Sequence, residues 1–358
     1  MNCNNETIET KMNVKGERDG IRPTEDMTYQ GYGRVIKGVG GLFTVRMLSA
    51  MPAGEAPFPP APLDGKTVTA RGRGSVHRKG AILVGDVVEL SYDDTSFFEQ
   101  DGHTVPSPDG TGIAIDRILE RSSALIRPPM ANLDVLFVTL AAAAPDPILL
   151  TVDKLISIAE HNRIEVVVVV TKSDLAPAYA RELAALYEGA GFSAFCIGRD
   201  MEDDTARLDA YIKEHLPSRV AAFSGASGVG KSTLLNRLFP ALELETGEIS
   251  HRIERGKNTT RRVELYPLSD EEGCGFLADT PGFTMLDFER FDFFDKEDLP
   301  EAFREFRPYF GGCRYTKCSH TKEQGCAILD AVRTGAIARS RHESFVSLYD
   351  VLKNKTKW

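Results

Sequence analysis

The chain is predicted to be a multidomain protein in three parts: a small β-barrel, an α/β unit built on a parallel sheet, and a short helical unit holding a Cys/His cluster. Three observations carry that expectation. Short β-branched runs separated by Gly, Asp and Pro fill residues 29–127, apolar strands then alternate with helical stretches, and three cysteines crowd with a histidine near the C-terminus. Length agrees, since 358 residues exceed one small domain and suit two or three. A composition of 42% hydrophobic and 27% charged residues supports sizeable cores and excludes collagen-like, disulfide-miniprotein and wholly disordered classes.

Residues 1–28 have no apolar periodicity and read as a disordered tail. They contain no apolar h-region of a secretory signal. The best apolar run, Val166 to Val170, is closed by Thr171-Lys172, far short of the roughly 18 residues a membrane helix needs. A cytoplasmic protein without membrane contact is expected. In residues 29–127 the strand-like runs are Gly33–Ile36, Leu42–Met47, Thr67–Arg71, Asp86–Tyr92 and Gly112–Leu119, a spacing that fits a small barrel. The Pro- and Ala-rich stretch Ala50–Gly65 reads as a long loop inside it. Arg127-Pro128-Pro129 breaks the pattern, and residues 128–290 form the α/β unit. Strands at Val135–Leu140 and Val166–Val170 alternate there with helices at Val152–Glu160 and Ala178–Glu188, the pattern of a parallel sheet covered by helices. Residues 291–358, rich in Phe, Glu, Asp and Arg, read as helical. No repeat of fixed period exists, which excludes a solenoid.

Chemistry concentrates in a few motifs. Gly225-Ala226-Ser227-Gly228-Val229-Gly230-Lys231-Ser232 fits G-x-x-x-x-G-K-[ST], preceded by the strand Arg219–Phe223 and followed by a helix that opens at Thr233 and runs through Leu238. Glycines let successive backbone N–H groups curl around α- and β-phosphates at a helix N-terminus. Lys231 is placed to reach the β- and γ-phosphates and Ser232 to ligate Mg²⁺. Downstream, Phe276-Leu277-Ala278 leads into Asp279-Thr280-Pro281-Gly282, a D-x-x-G pattern whose Asp can hold Mg²⁺ through water and whose Gly282 N–H can sense a γ-phosphate. Between them, Gly256-Lys257-Asn258-Thr259-Thr260 offers Thr259 or Thr260 as a hydroxyl to close over the metal and γ-phosphate.

Base selection falls to Thr171-Lys172-Ser173-Asp174, directly after the Val166–Val170 strand. An Asp carboxylate there accepts two hydrogen bonds from guanine N1–H and the 2-amino group, which adenine cannot offer. This resembles the N-K-x-D element of GTPases, with Thr171 where Asn is usual. The order is informative: the guanine element precedes the phosphate loop, and no N-K-x-D follows Gly282. A permuted chain keeps the same site, because permutation moves termini without moving strands. The last constellation, Cys313-x4-Cys318-x-His320-x5-Cys326, supplies three thiolates and an imidazole for one closed, structural Zn²⁺ site. Cys3, Cys196 and Cys274 lie outside it and read as bystanders.

Taken together, this arrangement from residue 29 to the C-terminus resembles the ribosome-small-subunit-dependent GTPase A family, circularly permuted bacterial GTPases of small-subunit maturation. The resemblance rests on T-K-S-D, then G-A-S-G-V-G-K-S, then D-T-P-G, on Arg127-Pro128-Pro129-x-x-Asn132, and on C-x4-C-x-H-x5-C. It implies an N-terminal OB-fold, a permuted GTPase domain and a C-terminal zinc domain. It also implies GTP and GDP as substrate and product, Mg²⁺ as cofactor, the small ribosomal subunit and its rRNA as partners of barrel and zinc domain, and a monomer. Two departures stand out. The family's switch often reads G-R-H-T-T, so Asn258 replaces a histidine proposed to assist hydrolysis, and Phe195-Cys196-Ile197 occupies the place of the usual Ser-Ala base contact.

A net charge of −9 speaks against a nucleic-acid partner at face value, but basic residues gather at Arg71, Arg73, His77, Arg78 and Lys79 and again at Arg333, Arg339, Arg341, Lys353, Lys355 and Lys357. Two other classes compete with a subunit-stimulated GTPase. One is a zinc-containing RNA-binding scaffold that holds nucleotide with almost no turnover. The other, a metabolic P-loop kinase, is disfavoured by the guanine element.

Overall fold

The computed structural model describes residues 28–49, 52–56, 58–59, 61–101, 103–110, 112–126, 129–199, 202–240, 263–269, 273–279 and 295–354. Residues 1–27 of the expected tail therefore lie outside the described residues, and its last residue, Thr28, already opens the first strand.

The N-terminal strands are β1 (Thr28–Val39), β2 (Leu42–Leu48), β3 (Thr67–Gly72), β4 (Val87–Asp93), β5 (Phe97–Gln100), β6 (His103–Pro106) and β7 (Ala114–Ile118). Five of them close into a barrel of order β1-β2-β3-β7-β4, in which β3 and β7 run parallel. A short helix, α1 (Gly74–Lys79), sits between β3 and β4, giving the barrel an OB-like form. Alternation makes its interior: Val35, Val45, Val68, Val88, Leu90 and Ile115 all point inward and are buried. The β5–β6 hairpin is an addition that sequence spacing did not resolve.

A small hairpin, β8 (Ala124–Ile126) with β9 (Pro129–Ala131), leads into the α/β unit. Its elements are β10 (Val135–Ala141), α2 (Leu149–His161), β11 (Glu165–Thr171), α3 (Pro177–Gly189), β12 (Ser193–Cys196), α4 (Glu202–His215), β13 (Val220–Ser224), α5 (Lys231–Leu238), β14 (Glu264–Pro267) and β15 (Phe276–Asp279). They build one six-stranded sheet of order β12-β11-β10-β13-β15-β14, parallel except for the edge strand β14. Five consecutive valines on β11 are buried on both faces, as a central parallel strand requires. The phosphate-loop strand β13 lies in the middle of the sheet, yet three strands on one side of it come earlier in the chain. That order is the permutation, seen in the sheet.

The C-terminal part holds fewer regular helices than its composition suggested. Its front is two 3-10 segments, Leu299–Ala302 and Arg304–Tyr309, followed by the Cys/His loop and helices Ala327–Thr334 and Arg339–Lys353. Phe303, Phe306, Phe345, Leu348 and Leu352 share one continuous apolar core with α2, α3 and the sheet. Arg341 needs correction. Rather than joining an RNA-facing basic surface, it is 1% exposed, with Nη1 donating to Asp153 Oδ1 at 2.6 Å and Nε to Glu305 Oε1 at 2.7 Å. Its guanidinium also lies 4.6 Å from the Phe303 ring centroid.

Candidate nucleotide site and metal centre

The loops after β11, β12 and β13 all leave the sheet at its C-terminal edge, where parallel α/β sheets bind ligands. Sequence placed the phosphate loop there, and local geometry explains its glycines. A Cβ on Gly225 would stand 2.1 Å from the Thr139 carbonyl oxygen of β10, a distance no side chain tolerates. Gly230, with φ of 96°, turns the chain into α5 from the left-handed region. The backbone of Ala226–Gly230 thus curls above the N-terminus of α5, with Ala226, Ser227 and Gly228 exposed to an arriving anion. The Lys231 ammonium donates to the carbonyls of Gly225 at 2.7 Å and Ala226 at 2.8 Å. Burial pushes its pKa below the ordinary lysine value. Ser232 follows in the first turn, half-buried, and Thr233 is exposed.

Thr171 joins the Thr171–Asp174 turn to the Gly225–Ser232 loop. Its hydroxyl is buried and lies 2.5 Å from the Val229 carbonyl of the phosphate loop and 3.0 Å from that of Leu140. One proton serves one acceptor at a time, and the shorter distance assigns it to Val229. The threonine at the usual Asn position therefore still ties the guanine element to the phosphate loop. Lys172 takes a left-handed φ of 51° and its ammonium donates to the Ala144 carbonyl. Ser173 is fully buried, its hydroxyl donating to Val170 and its N–H to Ile197. Asp174, partly exposed, accepts the Arg199 N–H on Oδ1 at 3.2 Å, which occupies one of its carboxylate lone pairs. The loop after β12 is held from the far side as well, because Arg237 of α5 donates to the Gly198 carbonyl at 3.1 Å. These staples through Ile197, Gly198 and Arg199 were not foreseen; the apolar Phe195-Cys196-Ile197 text gives no sign that its backbone would serve.

Asp279 ends β15, next to β13, so its backbone stands beside the phosphate loop. Asn258, Thr259, Thr260 and Gly282 lie outside the described residues.

The cysteine cluster assembles as spacing required. Donor atoms of Cys313, Cys318, His320 and Cys326 all lie within 4.8 Å of one another. Cys313 and Cys326 sulfurs are 3.8 Å apart, and His320 Nδ1 is 3.5 Å from Cys313 and 3.4 Å from Cys326. A tetrahedral zinc with Zn–S of about 2.3 Å and Zn–N of about 2.0–2.1 Å requires S···S near ~3.8 Å and S···N near ~3.5 Å. The donor set therefore fits zinc through Nδ1. Around it, His342 Nε2 meets the His320 carbonyl at 2.8 Å. Burial works to raise Glu323, but hydrogen bonds from the Ser319 hydroxyl and the backbone N–H groups of Ser319 and Lys322 overcome it and bring the carboxyl down to about 2. Cys196 is buried and remote from the cluster, and Cys274 stands at the opposite end of β15 from Asp279.

Comparison with known proteins adds three findings. Residues 118–289 match the family model described as RsgA GTPase. The chain is 33% identical over 328 residues to a small ribosomal subunit biogenesis GTPase RsgA of Alkaliphilus metalliredigens, covering 91% of this chain and 99% of that one. It is 40% identical over 240 residues to a protein of the same name from Ruminiclostridium cellulolyticum, covering 67% and 75%. Among solved structures, YloQ, described as a circularly permuted GTPase, superposes with a TM-score of 0.66 at 27% identity over 92% of this chain and 97% of that one. YjeQ from Thermotoga maritima shares the fold with the same TM-score of 0.66, at 24% identity over 91% of this chain and all of that one.

Proposed function

The chain belongs to the RsgA GTPase family, and on that premise we propose that it binds the small ribosomal subunit and hydrolyses GTP to GDP and phosphate during late subunit maturation, with hydrolysis stimulated by the subunit. The relatives' names support GTP hydrolysis and the small subunit. The single observation that carries the site assignment is the Thr171 hydroxyl joining the guanine element to the phosphate loop at Val229.

In this reading Asp174 accepts the N1–H and 2-amino hydrogens of guanine, with Lys172 beside the base. Backbone N–H groups from Ala226 to Ser232 take the phosphate oxygens. Lys231 exchanges its two loop carbonyls for β- and γ-oxygens, an exchange favoured because its half-buried ammonium has only those two carbonyls as partners among the described residues. Ser232, and Asp279 through a water, would hold Mg²⁺, which would neutralise negative charge on the phosphates. Thr259 or Thr260 closes over the γ-phosphate and Gly282 senses it. Water then attacks the γ-phosphorus as the bond to the β-bridging oxygen breaks. Cys313, Cys318, His320 and Cys326 hold one structural Zn²⁺ that shapes the C-terminal loop, and that loop and the barrel face rRNA.

Competition between GTP and ATP for the purified protein tests the assignment. GTP displaces a fluorescent GDP analogue at least ~100-fold better than ATP if Asp174 reads the base, since hydrogen bonds to a charged group are each worth about 1.5–3 kcal/mol. Lys231→Ala abolishes both. Equal displacement by ATP contradicts the reading.

A further inference from the structure

One peptide unit of the loop after β12 is held from both sides. Gly198 is buried, and a buried carbonyl left without a partner costs free energy. Arg237 supplies the partner from α5, its Nη1 lying 3.1 Å from the Gly198 oxygen. The N–H of the same peptide unit belongs to Arg199 and donates to Asp174 Oδ1 at 3.2 Å. In a planar trans peptide the carbonyl and the N–H point in opposite directions, so fixing one aims the other. Arg237 and Asp174 thus grip a single plane across its width.

The two ends of this relay belong to different parts of the site. Lys231 and Ser232 open α5, so Arg237 stands on the helix into which the Gly225–Ser232 loop runs. The Thr171 hydroxyl already ties the Thr171–Asp174 turn to that loop at Val229. One bond lets the joined segments pivot about it. A second, through Gly198 and Arg199, removes the pivot, and it is this one that ends on the Asp174 carboxylate. Arg237 itself is exposed, while Leu234, Leu235 and Leu238 of the same helix pack into the core, so replacing Arg237 leaves that core untouched.

We propose that Arg237 is a positioning residue for base selection: by holding the Gly198–Arg199 peptide it aims the Asp174 carboxylate at the N1–H and 2-amino hydrogens of guanine. The guanine target is that of the proposed function, on which this rests. Without Arg237 the peptide turns more freely, Oδ1 loses a fixed N–H, and the carboxylate spends less time facing the base. The loss falls on guanine alone, because adenine has no pair of donors to offer Asp174.

The test is a double-mutant cycle on the full chain: Arg237→Met, Asp174→Asn and both together. GTP and ATP affinities are measured by displacement of a fluorescent GDP analogue, alongside thermal midpoints. Arg237→Met is expected to lower GTP affinity about tenfold, with ATP affinity and the midpoint unchanged. In the Asp174→Asn background it is expected to cost nothing further, since residues acting through one bond are not additive. An undiminished GTP preference in Arg237→Met overturns the inference, as does an equal fall in GTP and ATP affinity, which a merely structural role would give. Full additivity in the double variant also overturns it. Each of these results leaves the proposed function standing. A wild type that binds ATP as well as GTP, or an Asp174→Asn variant that keeps the preference, overturns the guanine reading itself.

Discussion

Asp174 presents its carboxylate beside a loop whose backbone already uses one lone pair, through Arg199 N–H. The remaining acceptors suit two donors on one edge of guanine, and an amide offers only a single acceptor oxygen there. Asp174→Asn is therefore expected to lower GTP affinity by roughly 10–100-fold and to leave ATP affinity unchanged, measured by competition against a labelled nucleotide. An unchanged GTP-over-ATP preference would remove the assignment. At this scale the strand-to-helix turn at Gly225–Ser232 was legible in the sequence, because its glycines are dictated by close approach and by a left-handed turn at Gly230. Thr171 was legible in place but not in role: spacing put it after a buried strand, and only the fold brings Val229 to its hydroxyl. Arg341 was misread from charge alone. Its helix carries Phe345, Leu348 and Leu352 four, seven and eleven residues later, so Arg341 lies on the apolar stripe, a signal that periodicity contained.

Between elements, the Arg341 network fixes the C-terminal unit against α2. Burial works to raise Asp153 above the ordinary carboxylate range, with Arg341 pulling the other way, and Arg341 between Asp153 and Glu305 is held charged despite its own burial. Arg341→Met strands two buried carboxylates and is expected to cost about 3–5 kcal/mol at neutral pH. The sign with pH follows. Without Arg341 the Asp153 carboxyl is left to burial, which raises its folded-state pKa above the unfolded one, so the folded form binds the proton more tightly. Stability of the variant is then lost as pH rises through that window, and denaturant midpoints should show a smaller deficit near about pH 4.5 than near about pH 7.5. A deficit independent of pH would place the penalty elsewhere. The zinc centre belongs to the same scale. Reading the sequence alone suggests that a chelator unfolds everything from Arg307 onward, because structural zinc contributes folding free energy. The shared apolar core changes that expectation: Phe345, Leu348 and Leu352 are buried in a core they share with α2, α3 and the sheet. Chelation should release about one zinc and deprotect the Gly311–Cys326 loop in hydrogen exchange, while helix Arg339–Lys353 keeps its protection. Loss of protection along that helix would show that the metal, not the core, holds it.

For the molecule as a whole, the barrel, the permuted sheet and the Cys/His unit were visible in the sequence because each has its own pattern: short strands between turns, alternation of strand and helix, and ligand spacing. How the parts meet was not visible, since a bulge, a hydrogen bond across 184 positions of chain and an ion pair across 227 leave no local trace. The basic residues also sort differently in three dimensions. Arg71, Arg73, Arg78 and Arg339 are all exposed, but Arg73 is paired with Asp116 at 2.5 Å and Arg339 with Glu343 at 2.8 Å. Among the described residues, no helix is long and apolar enough to cross a membrane. The central claim is a GTPase whose site is completed by its partner. The residue after D-x-x-G, where small GTPases commonly carry a water-orienting Gln, is Phe283, and the switch offers Asn258 in place of a histidine. Neither side chain is a base, and in the function proposed above the missing geometry comes from subunit binding. GTP turnover measured with and without purified small subunits tests this most directly. The account predicts slow hydrolysis by the free protein and a large rise in kcat on subunit addition, with little change in KM; a fast basal rate indifferent to subunits would contradict it.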